Sequence, residues 1–395
     1  MIDRLTLHNF KAFRDTSLPL GPLTLLTGLN SSGKSSVLQA IALLRQSYET
    51  GDLVVYPSLR TWQTGHLPGL ANRGFLLNGE LVGLGTGEDV LHEDFAGDEA
   101  RIGLSVDEGP YHYGWTVEYD PEQNLLPLLD VDVPLTSEGG YDRPAGPEAV
   151  SPSFFTAPFQ YLHADRISPA EFYPRDHHAA IGRRFLGVRG EHTVNFLRHH
   201  AGDKVPEGPL HHPRAASDLL GDQAAAWMGD LCPGVDIRAD TIEGADAVRL
   251  SYGFQGTLGP TRRRRPTNVG FGLTYVLPIV VACLTARPGS LVLLENPEAH
   301  LHPQGQTQMA MLAAAAAAQG AQVIMETHSD HVINGVRLAV KQGRITPDGA
   351  VFHYFRGDGT GVEVVSPRVD ADGMLDQWPT GFFDELENTL DQLIG

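Results

Sequence analysis

Residues 28–35 read Gly-Leu-Asn-Ser-Ser-Gly-Lys-Ser, and the reading of this octet decides the fold. It fits the pattern of a glycine, four free positions, then glycine, lysine and serine, by which a loop cradles phosphate. Gly28 lets the backbone leave a strand with positive φ, and Gly33 lets the loop curl so that successive N–H groups point inward at an anion. Lys34 adds a point charge for the β/γ-phosphates, and the Ser35 hydroxyl suits Mg²⁺. Working outward, residues 23–27 are a short apolar run suited to a buried strand, while Val37, Ile41 and Leu44 recur at helical spacing. The helix so predicted aims its positive end at the phosphates. A chance glycine-rich turn is the competing reading, and the flanking strand and helix argue against it.

The chain has 395 residues, enough for two or three domains or for one nucleotide-binding core with insertions. With 29 basic and 48 acidic side chains its net charge is −19, which repels polyphosphates and membrane surfaces over most of the exterior. Contact with nucleic acid is therefore expected only locally. Cys232 and Cys283 stand far apart, so neither a disulfide framework nor a zinc site is expected, in keeping with a reducing cytoplasm. The first thirteen residues lack a signal-peptide core, and the apolar run 275–286 contains Pro278 and is too short to span a bilayer. A buried helix is expected there, with no membrane association.

Along the chain, Ile2, Leu5 and Leu7 begin a strand ending near Asn9, and residues 16–20 form a second. These predict an antiparallel edge feeding a parallel core. The turn at Phe10, Lys11, Ala12 and Phe13 either lies beside an adenine or packs its phenylalanines into the core. Residues 51–74 read as irregular, and residues 75–133 as strands joined by turns, an antiparallel β-subdomain. Residues 135–152, rich in Pro, Gly, Ser and Glu, read as a mobile loop. Residues 159–163 form another short apolar run before Asp165 and Arg166. That arginine either reaches a phosphate or is an ion-paired surface residue. Residues 167–240 read as mainly helical, and their adjacent histidine pairs as solvated surface. Arg262, Arg263, Arg264 and Arg265 form the one basic cluster, suited to a phosphate backbone, to an acidic partner, or to a solvated loop balancing nearby acid.

Residues 291–294 are a buried-type strand delivering Glu295, where a carboxylate in a P-loop protein contacts Mg²⁺ through water. Asn296, Pro297, Glu298, Ala299, His300, Leu301, His302 and Pro303 follow, then an alanine-rich helix to Ala318. Residues 322–326 are a further strand, ending in Thr327, His328, Ser329 and Asp330. At the carboxyl edge of a sheet, His328 is placed to hydrogen-bond a γ-phosphate. Asp370 and Asp372 read as a turn, and the aromatic tail 378–383 as a segment docking on the core or on a partner.

In this order, GLNSSGKSS, LVLLENPEAHLHP and VIMETHSDH resemble the motifs of ABC-type ATPase heads, as in the RecF and SMC ATPases. ENPEAHLHP looks most like the AAA-family ATPases related to the overcoming-lysogenisation-defect (OLD) nucleases. The resemblance covers residues 1–50 and 265–345 well and the middle loosely. It implies a P-loop NTPase, an α/β fold of the ABC-ATPase head type: a mixed central sheet flanked by helices, with an antiparallel β-subdomain and a helical insertion. The boundaries expected are an amino-terminal lobe at 1–165, a mainly helical insertion at 166–260, a carboxyl-terminal lobe at 261–350 and a tail at 351–395.

The resemblance also implies roles for single residues. Gly28, Asn30, Ser31, Ser32, Gly33, Lys34, Ser35 and Ser36 bind ATP, Ser35 and Glu295 serve Mg²⁺, and His328 senses the γ-phosphate. Asn268, Gly270 and Gly272 take the place of the signature motif, which contacts ATP on a second copy, so a homodimer with sandwiched nucleotide is expected. They depart from the usual Ser-Gly-Gly form. The second acidic residue of many relatives is here Asn296, and an amide cannot take a proton. Glu298, with His300 or His302, is the substitute expected for slow hydrolysis that drives or gates a protein effector in bacterial DNA maintenance or antiviral defence. A non-hydrolysing, ATP-gated scaffold is the rival. No Toprim nuclease domain is expected in the short stretch after Lys341, and no coiled-coil arms without sustained heptads.

Overall fold

A computed structural model describes residues 1–53, 73–95, 100–136, 148–149, 151–256, 259–357, 361–379 and 392–393. In chain order it opens with β1 (Arg4–Phe10), β2 (Phe13–Pro19), β3 (Leu23–Gly28) and α1 (Lys34–Glu49). Then come β4 (Gly74–Leu76), β5 (Arg101–Glu108), β6 (Tyr111–Glu118), β7 (Leu125–Asp132), and the two-residue β8 (Leu135–Thr136) and β9 (Glu148–Ala149). The middle holds β10 (Phe159–Leu162), β11 (Tyr173–Pro174), α2 (Thr193–His200), α3 (Leu220–Leu231), β12 (Val235–Thr241), β13 (Ala247–Gly256) and β14 (Gly259–Pro260). Last are α4 (Phe271–Thr285), β15 (Leu291–Glu295), α5 (Pro303–Ala318), β16 (Gln322–Glu326), α6 (Asp330–Lys341), β17 (Ala350–Gly357) and β18 (Val362–Val365). Most of residues 51–74 and 135–152, and residues 380–383 of the aromatic tail, lie outside the described residues.

The chain forms two units, of which the first comprises Met1–Gly21, Leu29–Ala157 and Phe355–Val364. Its six-stranded sheet runs β2-β1-β5-β6-β7-β4 with antiparallel pairs throughout. The amino-terminal hairpin therefore belongs to the β-subdomain and is not an edge of the parallel core as the sequence suggested. The reason is the side-chain period. Leu5 and Leu7 of β1 face inward opposite Val106 and Leu104 of β5, which they pair, as in a sheet buried on one face. In the same unit α1 is fixed by polar staples. Gln46 donates to the carbonyls of Leu76 and Val82 and accepts from the amides of Leu81 and Val82, while Arg45 donates to the carbonyls of Phe154 and Ala157.

The second unit comprises Pro22–Gly28, Pro158–Tyr354 and Val365–Gly395. Its sheet follows β10-β15-β16-β3-β17, and β10, β15, β16 and β3 are parallel. These strands are apolar runs because both faces are covered. α4 is apolar around its whole circumference and buried, as a core helix must be. Pro278 interrupts its hydrogen bonds, a cost of about 3 kcal/mol. Burying Val276, Leu277, Ile279, Val280, Val281 and Leu284 outweighs that, at about 1.5–3 kcal/mol for each fully buried side chain.

Two segments differ in content from the sequence reading. Residues 166–260 are not mainly helical, since β12 and β13 pair in register from Val235↔Phe254 to Thr241↔Val248, and β11 joins β13. Both strands show the period of two, with Val235, Ile237, Val248, Leu250 and Tyr252 buried and Arg238 and Arg249 on the solvated side. Nor is 351–395 only a tail, because β17 continues the central sheet. Cys232 and Cys283 are both free. Among the described residues no helix is long and apolar enough to cross a membrane.

Candidate functional site

β3 is buried along its length and leaves the sheet at Gly28, whose φ of 134° is open to glycine. Thr27 anchors its end by donating to the His353 carbonyl at 3.0 Å. In the loop that follows, Ser31 and Gly33 also have positive φ, at 60° and 91°. A side chain at Gly33 would put its Cβ 2.8 Å from Phe13 Cζ and 2.9 Å from Ala12 Cβ. The turn at residues 10–13 thus braces the phosphate loop. Phe10 and Phe13 are wholly buried, so of the two readings of that turn the apolar one holds.

α1 starts at Lys34 with no side-chain cap and no acidic residue in its first turn. Its positive end is left for an anion. Lys34 is buried in the loop, with Nζ donating to the Leu29 carbonyl at 2.5 Å, and Ser32 Oγ donates to the same carbonyl at 2.7 Å. Asn30 and Ser31 are exposed, and Ser35 half-buried. The loop fits a polyphosphate, since its strained positions are glycines or small and its charged group is a lysine.

Glu295 ends β15, level with Glu326 of β16, and Glu326 pairs with Leu26 of β3. The carboxyl ends of three adjacent parallel strands thus stand at one sheet edge with Gly28. Both Glu295 oxygens are oriented, Oε1 by the Tyr161 hydroxyl at 2.5 Å and Oε2 by the Ala164 amide at 2.9 Å. Burial holds the Tyr161 hydroxyl well above its ordinary pKa, with the Glu295 charge adding to the effect, so it remains a donor. A carboxylate has about four acceptor positions, and two donors leave room for a metal-bound water. The half-buried Glu295 therefore fits a Mg²⁺ role.

Arg166 differs from both sequence readings. It is 1 % exposed, and its guanidinium donates to the carbonyls of His163 (2.8 Å), Glu295 (2.6 Å), Asn296 (2.8 Å) and Tyr275 (3.2 Å). Burial lowers its pKa to about 10, so the group stays charged at neutral pH. The sequence places an arginine at a strand end, but no periodicity shows that it turns inward onto backbone. Tyr161 and Ala164 were missed in the same way.

Asn296 has φ 43°, a left-handed conformation that asparagine tolerates. Its amide donates to the Glu326 carbonyl at 2.9 Å, and its Oδ1 is buried without a partner. Glu298 is 7 % exposed, with Oε1 accepting from the His328 amide at 2.9 Å and Oε2 buried without a partner. Burial raises its carboxyl above the ordinary value, against the lowering effect of that amide. His328 is itself 37 % exposed, with Nε2 3.8 Å from Glu326 Oε1. Ser329 caps α6 by accepting from the Val332 amide. Within this unit Glu295 ends the strand beside the one that ends at Glu326, and Glu298 holds the His328 amide.

At the start of α4, Asn268 and Gly270 are exposed, and a Cβ on Gly272 would lie 2.6 Å from the His300 carbonyl oxygen. Gly272 thus lets α4 touch the turn after Glu295. His300, at φ 64°, packs its ring against Phe271 and Tyr275. Of the arginine cluster, Arg263 pairs with Asp236 and Arg265 with Glu171, at 2.8 Å for the latter. Of the adjacent histidine pairs read as surface, His177 and His178 are both exposed, whereas each of the other two pairs turns one ring inward. His200 and His212 are buried on Asp203 (2.8 Å) and Asp230 (2.9 Å). Asp370 accepts from the amides of Asp372 and Met374, a tight turn as read from the sequence.

This loop, these strand ends and this sheet define a P-loop ATPase fold of the ABC-head type. The chain belongs to the family described as "AAA domain, putative AbiEii toxin, Type IV TA system", which matches residues 23–334. Residues 345–393 match "Protein of unknown function (DUF3696)". Among curated proteins it is similar to an "OLD nuclease" from Thermus scotoductus, 44 % identical over 63 residues. That stretch is 16 % of this chain and 11 % of the relative, so the chain spans a small part of it. Among solved structures it resembles an SmcHead bound to the C-winged helix domain of ScpA, at a TM-score of 0.51 and 13 % identity over 93 % of this chain and 98 % of that one. The SMC head domain from Thermotoga maritima aligns over 92 % of this chain and 98 % of its own, at 12 % identity and a TM-score of 0.42.

Proposed function

We propose that this chain binds Mg-ATP, hydrolyses it slowly, and uses the bound state to pair two copies and gate a partner effector protein. One observation carries the reading: β3, β15 and β16 are adjacent parallel strands that end at one sheet edge, delivering Gly28, Glu295 and Glu326 there. Gly28, Asn30, Ser31, Ser32, Gly33, Lys34, Ser35 and Ser36 hold the phosphates. Ser35 and Glu295 hold Mg²⁺, which when bound neutralises charge developing on the phosphoryl oxygens. His328 reads the γ-phosphate, and Asn268 and Gly270 face nucleotide on the second copy. Glu298 takes the proton of the attacking water, its raised pKa making it the stronger base. The setting is bacterial DNA maintenance or antiviral defence, in keeping with the toxin in the family's description and the nuclease in the relative's name.

A second reading, an ATP-gated scaffold that does not turn over, is favoured by Asn296, an amide where a base is usual. Nucleotide titration and phosphate release separate the two. Lys34→Ala is expected to abolish ATP binding, and retained binding there would overturn the site. Wild type is expected to release phosphate slowly. Release only after Asn296→Glu would select the scaffold, even though a glutamate at that left-handed φ costs about 1–2 kcal/mol.

A further inference from the structure

We infer that Arg166 and Tyr275 form a buried relay that ties the position of the amino end of α4, at Phe271, to the orientation of the Glu295 carboxylate and so to the site's affinity for divalent metal. The inference rests on the nucleotide reading above. Tyr275 lies one turn into α4, its ring 5.4 Å from that of Phe271, which is 41 % exposed. From Tyr275 two connections reach Glu295. The first is covalent through Ala164: the Tyr275 hydroxyl donates to the Ala164 carbonyl, and the Ala164 amide donates to Glu295 Oε2. The second is Arg166, whose Cζ sits 4.1 Å over the Tyr275 ring while its N–H groups hold the carbonyls of Tyr275, Glu295 and Asn296.

Such an arginine is not explained by stability alone. A buried guanidinium loses solvation, and here carbonyl dipoles take the place of water. Its fixed fork joins three chain segments at set distances, which a lysine ammonium cannot do. A shift of α4 therefore moves the residues that orient Glu295. Groups that orient a metal-binding carboxylate typically change metal affinity about 10–100-fold when removed.

The test uses the full chain, Mn²⁺ as the probe metal, and a non-hydrolysable ATP analogue, with free Mn²⁺ read by electron paramagnetic resonance. Tyr275→Phe keeps the ring and loses the hydroxyl. It is expected to weaken Mn²⁺ binding about tenfold, while metal-free binding of the analogue stays at the wild-type value. Phe271→Ala, at an exposed position, is expected to weaken Mn²⁺ binding in the wild-type background and to add nothing in the Tyr275→Phe background. Unchanged Mn²⁺ affinity in Tyr275→Phe with nucleotide still bound, or additive effects of the two substitutions, overturns the relay alone. Failure of wild type to bind the analogue overturns the nucleotide reading and the relay with it.

Discussion

The Glu298 carboxyl is buried with one oxygen on the His328 amide and the other without a partner, so its proton and its position can be tested separately. Folding raises its pKa above 4.5, so the native state holds the proton more tightly than the unfolded chain. The stability it contributes is complete below that value and is lost as pH rises through the native pKa. Glu298→Gln keeps an oxygen for the His328 amide and cannot ionise. Relative to wild type, the variant is expected to gain stability as pH rises, read as urea midpoints at roughly pH 5 and pH 8. A constant difference would mean that the carboxyl ionises without penalty. Phosphate release is the second readout: nucleotide binding should persist and turnover fall, because position is kept and only the proton acceptor is lost. At this scale Lys34, Glu295 and His328 were legible as residues in motifs. The inward turn of Arg166 and the orphaned oxygen of Glu298 were not, since they depend on contacts between segments far apart in the chain.

Helix α5 shows what an element's composition permits. Its run of alanines leaves little side chain on the face meeting α6, and Gly335 of α6 takes up the remaining space. A Cβ there would lie 2.6 Å from Ala310 Cβ and 2.8 Å from the Thr307 carbonyl oxygen. Overpacking costs about 1–3 kcal/mol, against about 1 kcal/mol gained in helix propensity from glycine to alanine. Gly335→Ala is therefore expected to destabilise the chain by about 1–2 kcal/mol. Gly229 in α3 has open space around it, so Gly229→Ala should instead stabilise by up to about 1 kcal/mol. Thermal melts of the two variants check the opposite signs. The buried strands and long helices were readable from apolar runs and helical spacing. Sheet membership of β1 and β2 was not, because alternation gives a strand's buried face but not its neighbour.

For the whole molecule the dominant quantity is charge. Two copies at −19 each repel, so any pairing must draw on local contacts such as the exposed Phe271 at the start of α4. Screening shortens that repulsion to about 8 Å at physiological ionic strength. Pairing in Mg-ATP is thus expected to strengthen as salt rises from about 0.01 M to 0.15 M. Contact between the arginine cluster and a nucleic acid would follow the opposite course, because counterions released from the phosphates make binding fall with salt. Two of the four arginines are already ion-paired, which limits that contact further. Light scattering with and without Mg-ATP at the two salt concentrations, beside a labelled duplex titrated under the same conditions, reads both signs. A mass that doubles more readily at the higher salt supports pairing of like-charged copies. A mass that stays at one chain with ATP bound, at either salt, would remove the paired state from the proposed function.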